Sequence, residues 1–238
     1  MKILFSMRHL GSLRIFESVV RLLADESHEI LILAHRRDDA ELGSTPETMF
    51  ADLPQIHWSW EDAQPDGWTD VAGTVRIWLD YLRYFEPSYA NAPHFLRAKV
   101  GTRVPGLCRR ITGWPLVRSG VGRRVLGACL RGVERALPRQ AAIDAVMRAY
   151  RPDVVLVTPL VRLGSNQVEV LRSARACGAR TALCVASWDH LTNKARISEL
   201  PDRVFVWNDT QKREAVDLHG VPADRVVMTG AQCFDQWF

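Results

Sequence analysis

The stretch RPDVVLVTPLVRLGSNQVEVLRSARACGARTALCVASW, residues 151–188, decides the fold. It opens and closes on apolar runs, Arg151 to Pro159 and Arg180 to Trp188, with no polar alternation inside them. A strand covered on both faces reads this way, because neither of its sides meets water. Between the runs, Val168 to Ala176 predicts a helix, and Gly178 just beyond it supplies a left-handed stop. Strand, helix and strand with both strand faces apolar is the repeating unit of a parallel sheet.

The unit recurs in both directions. Upstream, KILFSM (Lys2 to Met7) is followed by a Gly-Ser turn, then by apolar residues from Ile15 to Leu23 at helical spacing, then by HEILILAH (His28 to His35). A weaker run, IHWSW, occupies Ile56 to Trp60. Downstream, DRVFVWN (Asp202 to Asn208) predicts a strand, and Asn208 or Asp209 can cap a helix from Thr210 to Leu218 that stops at Gly220. RVVMTG (Arg225 to Gly230) is the last strand. The fold class is α/β, a doubly wound parallel sheet. Residues from about 70 to 149 interrupt the alternation and predict a helical insertion, beginning with Val71, Val75, Trp78, Leu82 and Phe85 on one helix face and stopping before Pro87.

Composition narrows the function classes. A chain of 238 residues, 47% hydrophobic and 24% charged, buries a sizeable core, which excludes disorder as its ordinary state. The apolar run Met1 to Met7 ends at Arg8, too early for a signal peptide, and no stretch approaches the roughly 18 uncharged apolar residues of a membrane span. The expected location is cytoplasmic. The five cysteines form no CxxC or His-paired spacing, so they read as buried apolar thiols, and neither a zinc site nor any other metal is expected.

The net charge of +4 hides an asymmetry: from Arg97 to Arg139 eleven basic residues face a single acid, Glu134. Stepping about 100° per residue from Arg123 to Leu137, Val125, Leu126, Cys129, Leu130, Val133 and Leu137 gather on one side, with Arg124, Arg131 and Arg135 opposite. With Arg123 and the upstream Trp114, this basic amphipathic helix predicts a surface facing an anionic membrane, where each basic residue contributes on the order of 1 kcal/mol. The plainer alternative is a helix burying its apolar side against the sheet. Nucleic acid is not an expected partner, because little aromatic interleaving and no recognition motif accompany the charge.

In such sheets ligands collect at the carboxyl ends of strands. RHLGS, TPLVRLGSN, SWDHLTNK and NDTQK all fall there and predict one rim. Asp189 beside His190 could supply a general base, since imidazole titrates near neutrality. The alternative is that Asp189 caps a turn and His190 is merely exposed. Thr192, Asn193 and Lys194 could bind sugar hydroxyls or a phosphate, while Trp188 reads as core. His9 is a second candidate base, beside Arg8 and before Gly11 and Ser12, whose N–H groups could face an anion. HLGSLR is no GxGxxG fingerprint, so no nicotinamide site is read from it.

VPADRVVMTGAQCFD (Val221 to Asp235) resembles the stretch that closes the N-terminal, Rossmann-like domain of GT-B glycosyltransferases. Joined to SWDHLTNK and VFVWNDTQKREAVDLHG, it is similar to bacterial surface-polysaccharide transferases, including relatives of the CDP-glycerol glycerophosphotransferases. GSLRIFESVVRLLADESHEILILA resembles the first strand-helix-strand unit of that domain, with Arg14 and Glu17 at the start of the helix, though these two could equally be a local helix-face pair. The resemblance covers roughly residues 1–36 and 150–238; the middle matches no family. It implies that residues 1–238 form a single N-terminal, acceptor-binding half, with His190, Asp189 or His9 as base. Arg8, Gly11, Ser12, Arg14, Glu17, Thr192, Asn193, Lys194 and Asn208 would bind a glycan or lipid-linked acceptor. No cofactor is expected on this half: the nucleotide-activated donor belongs to a second, C-terminal domain or partner subunit, which would begin where these residues end, and the chain alone would be inactive. An epimerase acting on UDP-sugars and a non-catalytic membrane-docking module remain as alternatives.

Overall fold

A computed structural model describes residues 1–35, 45–61, 67–89 and 94–237. Seven strands form one all-parallel sheet in the order β3-β2-β1-β4-β5-β6-β7. They are β1 (Lys2–Met7), β2 (Glu29–Ala34), β3 (Ile56–Trp60), β4 (Val154–Thr158), β5 (Arg180–Cys184), β6 (Arg203–Val206) and β7 (Val226–Met228). The chain starts in the centre, winds outward to β3, returns to β4 beside β1 and winds outward the other way. The doubly wound, Rossmann-like fold read from the sequence is the fold observed.

Both faces are covered, as the continuous apolar runs require. On one face Ile3, Phe5 and Met7 of β1 pack with Leu13, Phe16 and Val20 of α1 (Leu13–Asp25). On the other, Leu4, Val155 and Val157 meet Ile143 and Met147 of one helix and Val168 and Leu171 of another. The strand read from Arg180 to Trp188 is shorter than expected: Val185 N–H still donates to Phe205 O at 3.1 Å, and the chain then turns into the rim. Gly178 and Gly220 adopt the left-handed conformations expected of helix stops, with φ of 82° and 69°.

The remaining helices are α2 (Pro46–Met49), α3 (Gly67–Arg83), α4 (His94–Gly101), α5 (Gly106–Gly113), α6 (Pro115–Arg118), α7 (Gly120–Ala136), α8 (Ala141–Tyr150), α9 (Gln167–Ala176), α10 (His190–Asn193) and α11 (Asp209–His219). Helices α3 to α8 fill the connection from β3 to β4, so among the described residues the insertion is helical. Ala231 to Trp237 folds back over α1, where Ser18 Oγ donates to Asp235 Oδ2 at 2.8 Å.

A buried ionic cluster pins this helical layer to the sheet. Arg76 of α3, only 2% exposed, meets Glu134 of α7 at 2.6 Å, pairs with Glu169 of α9 and donates to Ser165 O at 3.0 Å. Arg172 joins from the side, pairing with Glu169 at 3.2 Å and donating to Leu137 O at 2.6 Å. The apolar side of α3 is used as well, since Val75, Leu79 and Leu82 pack against Leu130 of α7. The helix is therefore buried on two sides. Replacing one member of a buried ionic cluster strands its partners, at about 3–5 kcal/mol. Urea unfolding of Arg76→Met is expected to show a loss of that size, whereas Arg139→Ala, which breaks an exposed pair with Asp144, is expected to cost under about 1 kcal/mol. Equal losses would refute the cluster's role.

Candidate functional site

The boundary between β1 and β4 is the switch point of the sheet, where one chain connection leaves for each side and a crevice opens at the carboxyl ends. A buried polar network floors it. The Gln167 amide nitrogen donates to Thr158 O at 2.8 Å and to Ser6 O at 3.1 Å, and its oxygen accepts from Leu160 N at 2.9 Å. Ser6 Oγ lies 2.8 Å from His35 Nε2, and His35 Nδ1 lies 2.5 Å from Glu61 Oε2. Serine, histidine and glutamate are thus aligned as in a nucleophilic relay. Ser6 is nevertheless fully buried, so the alignment ties β1, β2 and the end of β3 together and offers no nucleophile to a substrate.

Above this floor sits a cleft of about 580 Å³. The loop after β1 contributes Arg8, His9 and Ser12, and the loop after β4 contributes Pro159, Val161 and Arg162. The segment after β5 adds Ser187, His190, Asn193 and Lys194. The helical insertion closes the fourth side with Tyr84, Lys99 and Arg103. Five side chains with permanent positive charge therefore line the cleft, and among the described residues no carboxylate does. No three His, Cys, Asp or Glu residues among those described converge as a metal-binding group.

The two candidate bases differ in availability. Burial, set against a smaller opposing effect of Asp189, pulls the His190 imidazole down to about 4, so the ring is neutral at physiological pH. Its Nδ1 is buried with no hydrogen-bond partner among the described residues, which leaves Nε2 as the nitrogen to meet a ligand. His9 accepts a hydrogen bond at Nε2 from Arg8 Nε at 2.9 Å, and that lone pair is engaged in orienting the guanidinium. Asp189 does not pair with the His190 ring. Its Oδ1 accepts from Ser187 Oγ at 2.7 Å and its Oδ2 lies 3.1 Å from Lys194 Nζ. Burial alone would raise this carboxyl, but Ser187 and Lys194 outweigh it and hold it below the usual range. Asp189 thus positions the turn and Lys194 and forms no dyad with His190.

The other residues named from sequence divide. Asn208 accepts from Gln211 N at 3.0 Å and is committed to capping α11. Glu17 pairs with Arg21 one turn on at 3.1 Å, not with Arg14, which is exposed; neither lines the cleft. Gly11 lies in the turn before α1, and Thr192 Oγ1 donates to Asp189 O at 3.3 Å, both outside the lining. Trp188, expected in the core, is 73% exposed on the rim, because the chain has already left the sheet at Cys184. Cys129 and Cys177, expected buried, are also exposed. Sequence reasoning missed Tyr84, Lys99, Arg103 and Arg162. Arg162 lay inside the rim segment TPLVRLGSN, but nothing in the sequence places Lys99 and Arg103 across from it.

The rim segment is held from beneath by His219. Its Nδ1 accepts from Ile197 N at 3.1 Å and its Nε2 lies 2.7 Å from Leu191 O, which fixes the neutral Nε2–H tautomer. Burial, reinforced by Arg83, drives its pKa down to about 3. No protein-family model matches the chain, and no curated protein sequence matches it.

Because His219 is lowered from 6.5 to about 3, the native state takes up its proton later than the unfolded chain does. Its stabilising contribution is complete above about pH 6.5 and is lost as pH falls toward 3. Asp80, raised to about 7 by burial, acts in the opposite direction, so the comparison belongs between wild type and His219→Gln. Wild type is expected to be about 2 kcal/mol more stable at pH 7.5, with the gap closing by pH 5 in urea unfolding. A gap independent of pH would show that His219 is not held neutral.

Proposed function

We propose that this chain is the acceptor-binding half of a glycosyltransferase or glycerophosphotransferase of the GT-B kind. It would move a sugar or polyol phosphate from a nucleotide donor to a membrane-associated acceptor. The observation that carries the reading is the cleft at the switch point, where Arg8, His9 and Ser12 from the first loop meet His190, Asn193 and Lys194 from the fifth. The resemblance of the terminal strand-helix units to those enzymes adds to it. An acceptor hydroxyl in the cleft gives its proton to His190 Nε2 as its oxygen bonds to the donor's anomeric carbon or phosphorus. The bond from that centre to the nucleotide phosphate breaks, and the nucleotide leaves with the electron pair. A neutral imidazole is the form able to take that proton. The donor is held by a partner domain or subunit, so the assay uses protein isolated from its native source.

A second reading, docking on an anionic bilayer, is favoured by the α5–α7 corner. Ser119 caps α7 by accepting from Gly122 N at 3.0 Å. A Cβ on Gly122 would lie 1.9 Å from Leu116 O, so only glycine lets α6 approach this closely. The corner presents Trp114, Leu116, Val121 and Val125, each more than half exposed. The face differs from the one read from sequence. Leu126 and Leu130 turn inward onto α3, Arg123, Arg124 and Arg131 line a pocket with Leu82 and Glu86, and Arg135 lines another with Glu134 and Arg175. No helix among the described residues is long and apolar enough to cross a membrane, so this attachment lies on the surface.

With a panel of nucleotide-activated donors and lipid-linked glycans, nucleotide release that requires the acceptor is expected. Release without acceptor would favour the epimerase or hydrolase alternative, and no release would refute transfer. His190→Ala is expected to lower kcat by about 10²–10⁴, and His9→Ala by less; full turnover in both would end the base assignment. Sedimentation with phosphatidylglycerol vesicles is expected to fall about tenfold in Val125→Glu and in 0.5 M salt. Binding that survives both would exclude this face.

A further inference from the structure

Phosphate chemistry for the cleft is implied by its charge, independently of any transfer. Arg8, Lys99, Arg103, Arg162 and Lys194 come from four separate parts of the chain, the loops after β1 and β4, the end of α10, and α4 with the turn that follows it. Like charges brought to one concave volume repel, and the repulsion strengthens where walls exclude water. Among the described residues, only Lys194 is offset nearby, by Asp189. Among the described residues, Lys99, Arg103 and Arg162 are in no ion pair.

A second observation points the same way. Tyr84, only 1% exposed, lines the cleft with a buried hydroxyl that has no hydrogen-bond partner among the described residues. Behind it lies Arg83, fully buried, its guanidinium over the rings of Tyr84 and Tyr89 at 5.5 Å and 4.9 Å. One of its nitrogens donates to Lys194 O at 2.8 Å, while Nε and Nη1 find no partner among the described residues. A sixth positive charge thus stands behind the wall with at least three of its five N–H donors unspent. Buried polar groups are ordinarily satisfied, so a cluster of unsatisfied ones beside a basic cleft marks a site built for something absent.

We propose that the cleft binds a phosphate ester, with the α3–α4 arm supplying half of the anion site through Lys99, Arg103 and the Tyr84 wall. Ile15, Val100, Val161 and Leu163 line the same volume. The ligand therefore carries an uncharged body beside its phosphate, and about 580 Å³ accommodates a sugar or polyol diphosphate. This deepens the acceptor reading and rests on it for the ligand's role, but the anion site is tested without any transfer.

The test is calorimetric titration of the protein with inorganic pyrophosphate at low ionic strength, with neither donor nor acceptor present. One saturable site per chain is expected, weakened at least tenfold in Arg103→Glu and in Arg162→Glu. Both residues are exposed, so neither substitution threatens the fold, and circular dichroism checks this. Arg148→Glu, on α8 beside the amino ends of the strands, is expected to bind within twofold of wild type. Absence of binding at millimolar pyrophosphate, or an equal loss in all three variants, overturns the proposal. Tight pyrophosphate binding in a protein without transfer activity would sustain the anion site and end the transferase reading.

Discussion

The side-chain amide of Gln167 holds together the point on which the rest of the molecule depends. Parallel strands β1 and β4 are neighbours in the sheet, yet their chains leave in different directions, and the ladder ends where Arg8 N donates to Thr158 O at 3.3 Å. Beyond that bond the amide of Leu160 lies outside the ladder, and the carbonyls of Ser6 and Thr158 can each accept a further hydrogen bond. One amide side chain satisfies all three. A carboxylate in its place would bring no donor for the carbonyls, and leucine would leave the Leu160 N–H without its acceptor, at about 1–3 kcal/mol. The same bond holds Leu160 at a φ of 50°, a left-handed conformation that costs a non-glycine residue about 1–2 kcal/mol. That turn carries Val161 and Arg162 to the cleft.

The helical layer is attached by charge as much as by apolar contact, and the attachment reaches the rim. Asp80 and Arg83 follow Arg76 along α3 at one-turn spacing, and all three are buried. Asp80 accepts from Arg196 N at 2.7 Å while Arg83 donates to Lys194 O at 2.8 Å, so α3 grips the chain just after α10. Just past the same end of α3, Arg97 of α4 donates to Tyr84 O at 2.8 Å and stacks on Phe85 at 4.7 Å, which ties α4 to α3. Arm and rim are consequently one unit: a shift of α3 moves Lys99, Arg103 and Lys194 together.

This explains how much could be read from the residues alone. Strands buried on both faces announce themselves by unbroken apolar runs, and β2, β4 and β6 were legible for that reason. Once their order along the chain was known, the carboxyl ends followed, and with them His9, His190 and Lys194. The helical layer was not legible to the same degree. Hydrophobic periodicity assigns the arc of Arg76, Asp80 and Arg83 to water, because it scores side chains by their own polarity and not by partners more than fifty residues away, such as Glu134. The same limit misassigned α7, where Val125 and Leu126 are adjacent and equally apolar but only Leu126 packs against α3. Trp188 illustrates a boundary error, since the apolar run continued for four residues after β5 had ended.

The pieces of the cleft have a common electrostatic logic. His190 is depressed to about 4 chiefly by burial, with Lys194 adding to the effect and Asp189 opposing it. A proton placed on that ring is opposed by burial first and then by the charge of Lys194. A phosphate bound in the cleft would offset that charge and raise the proton affinity of a nearby imidazole, just as an opposite charge within ~4–6 Å favours any ionised form. On the proposed reading, base strength and anion occupancy would be linked: a phosphate in the cleft would also bring His190 toward the range in which a general base works well. On the same proposed reading the cationic residues of the insertion and the imidazole of the fifth loop would serve one purpose, although more than eighty residues separate Arg103 from His190 in the chain.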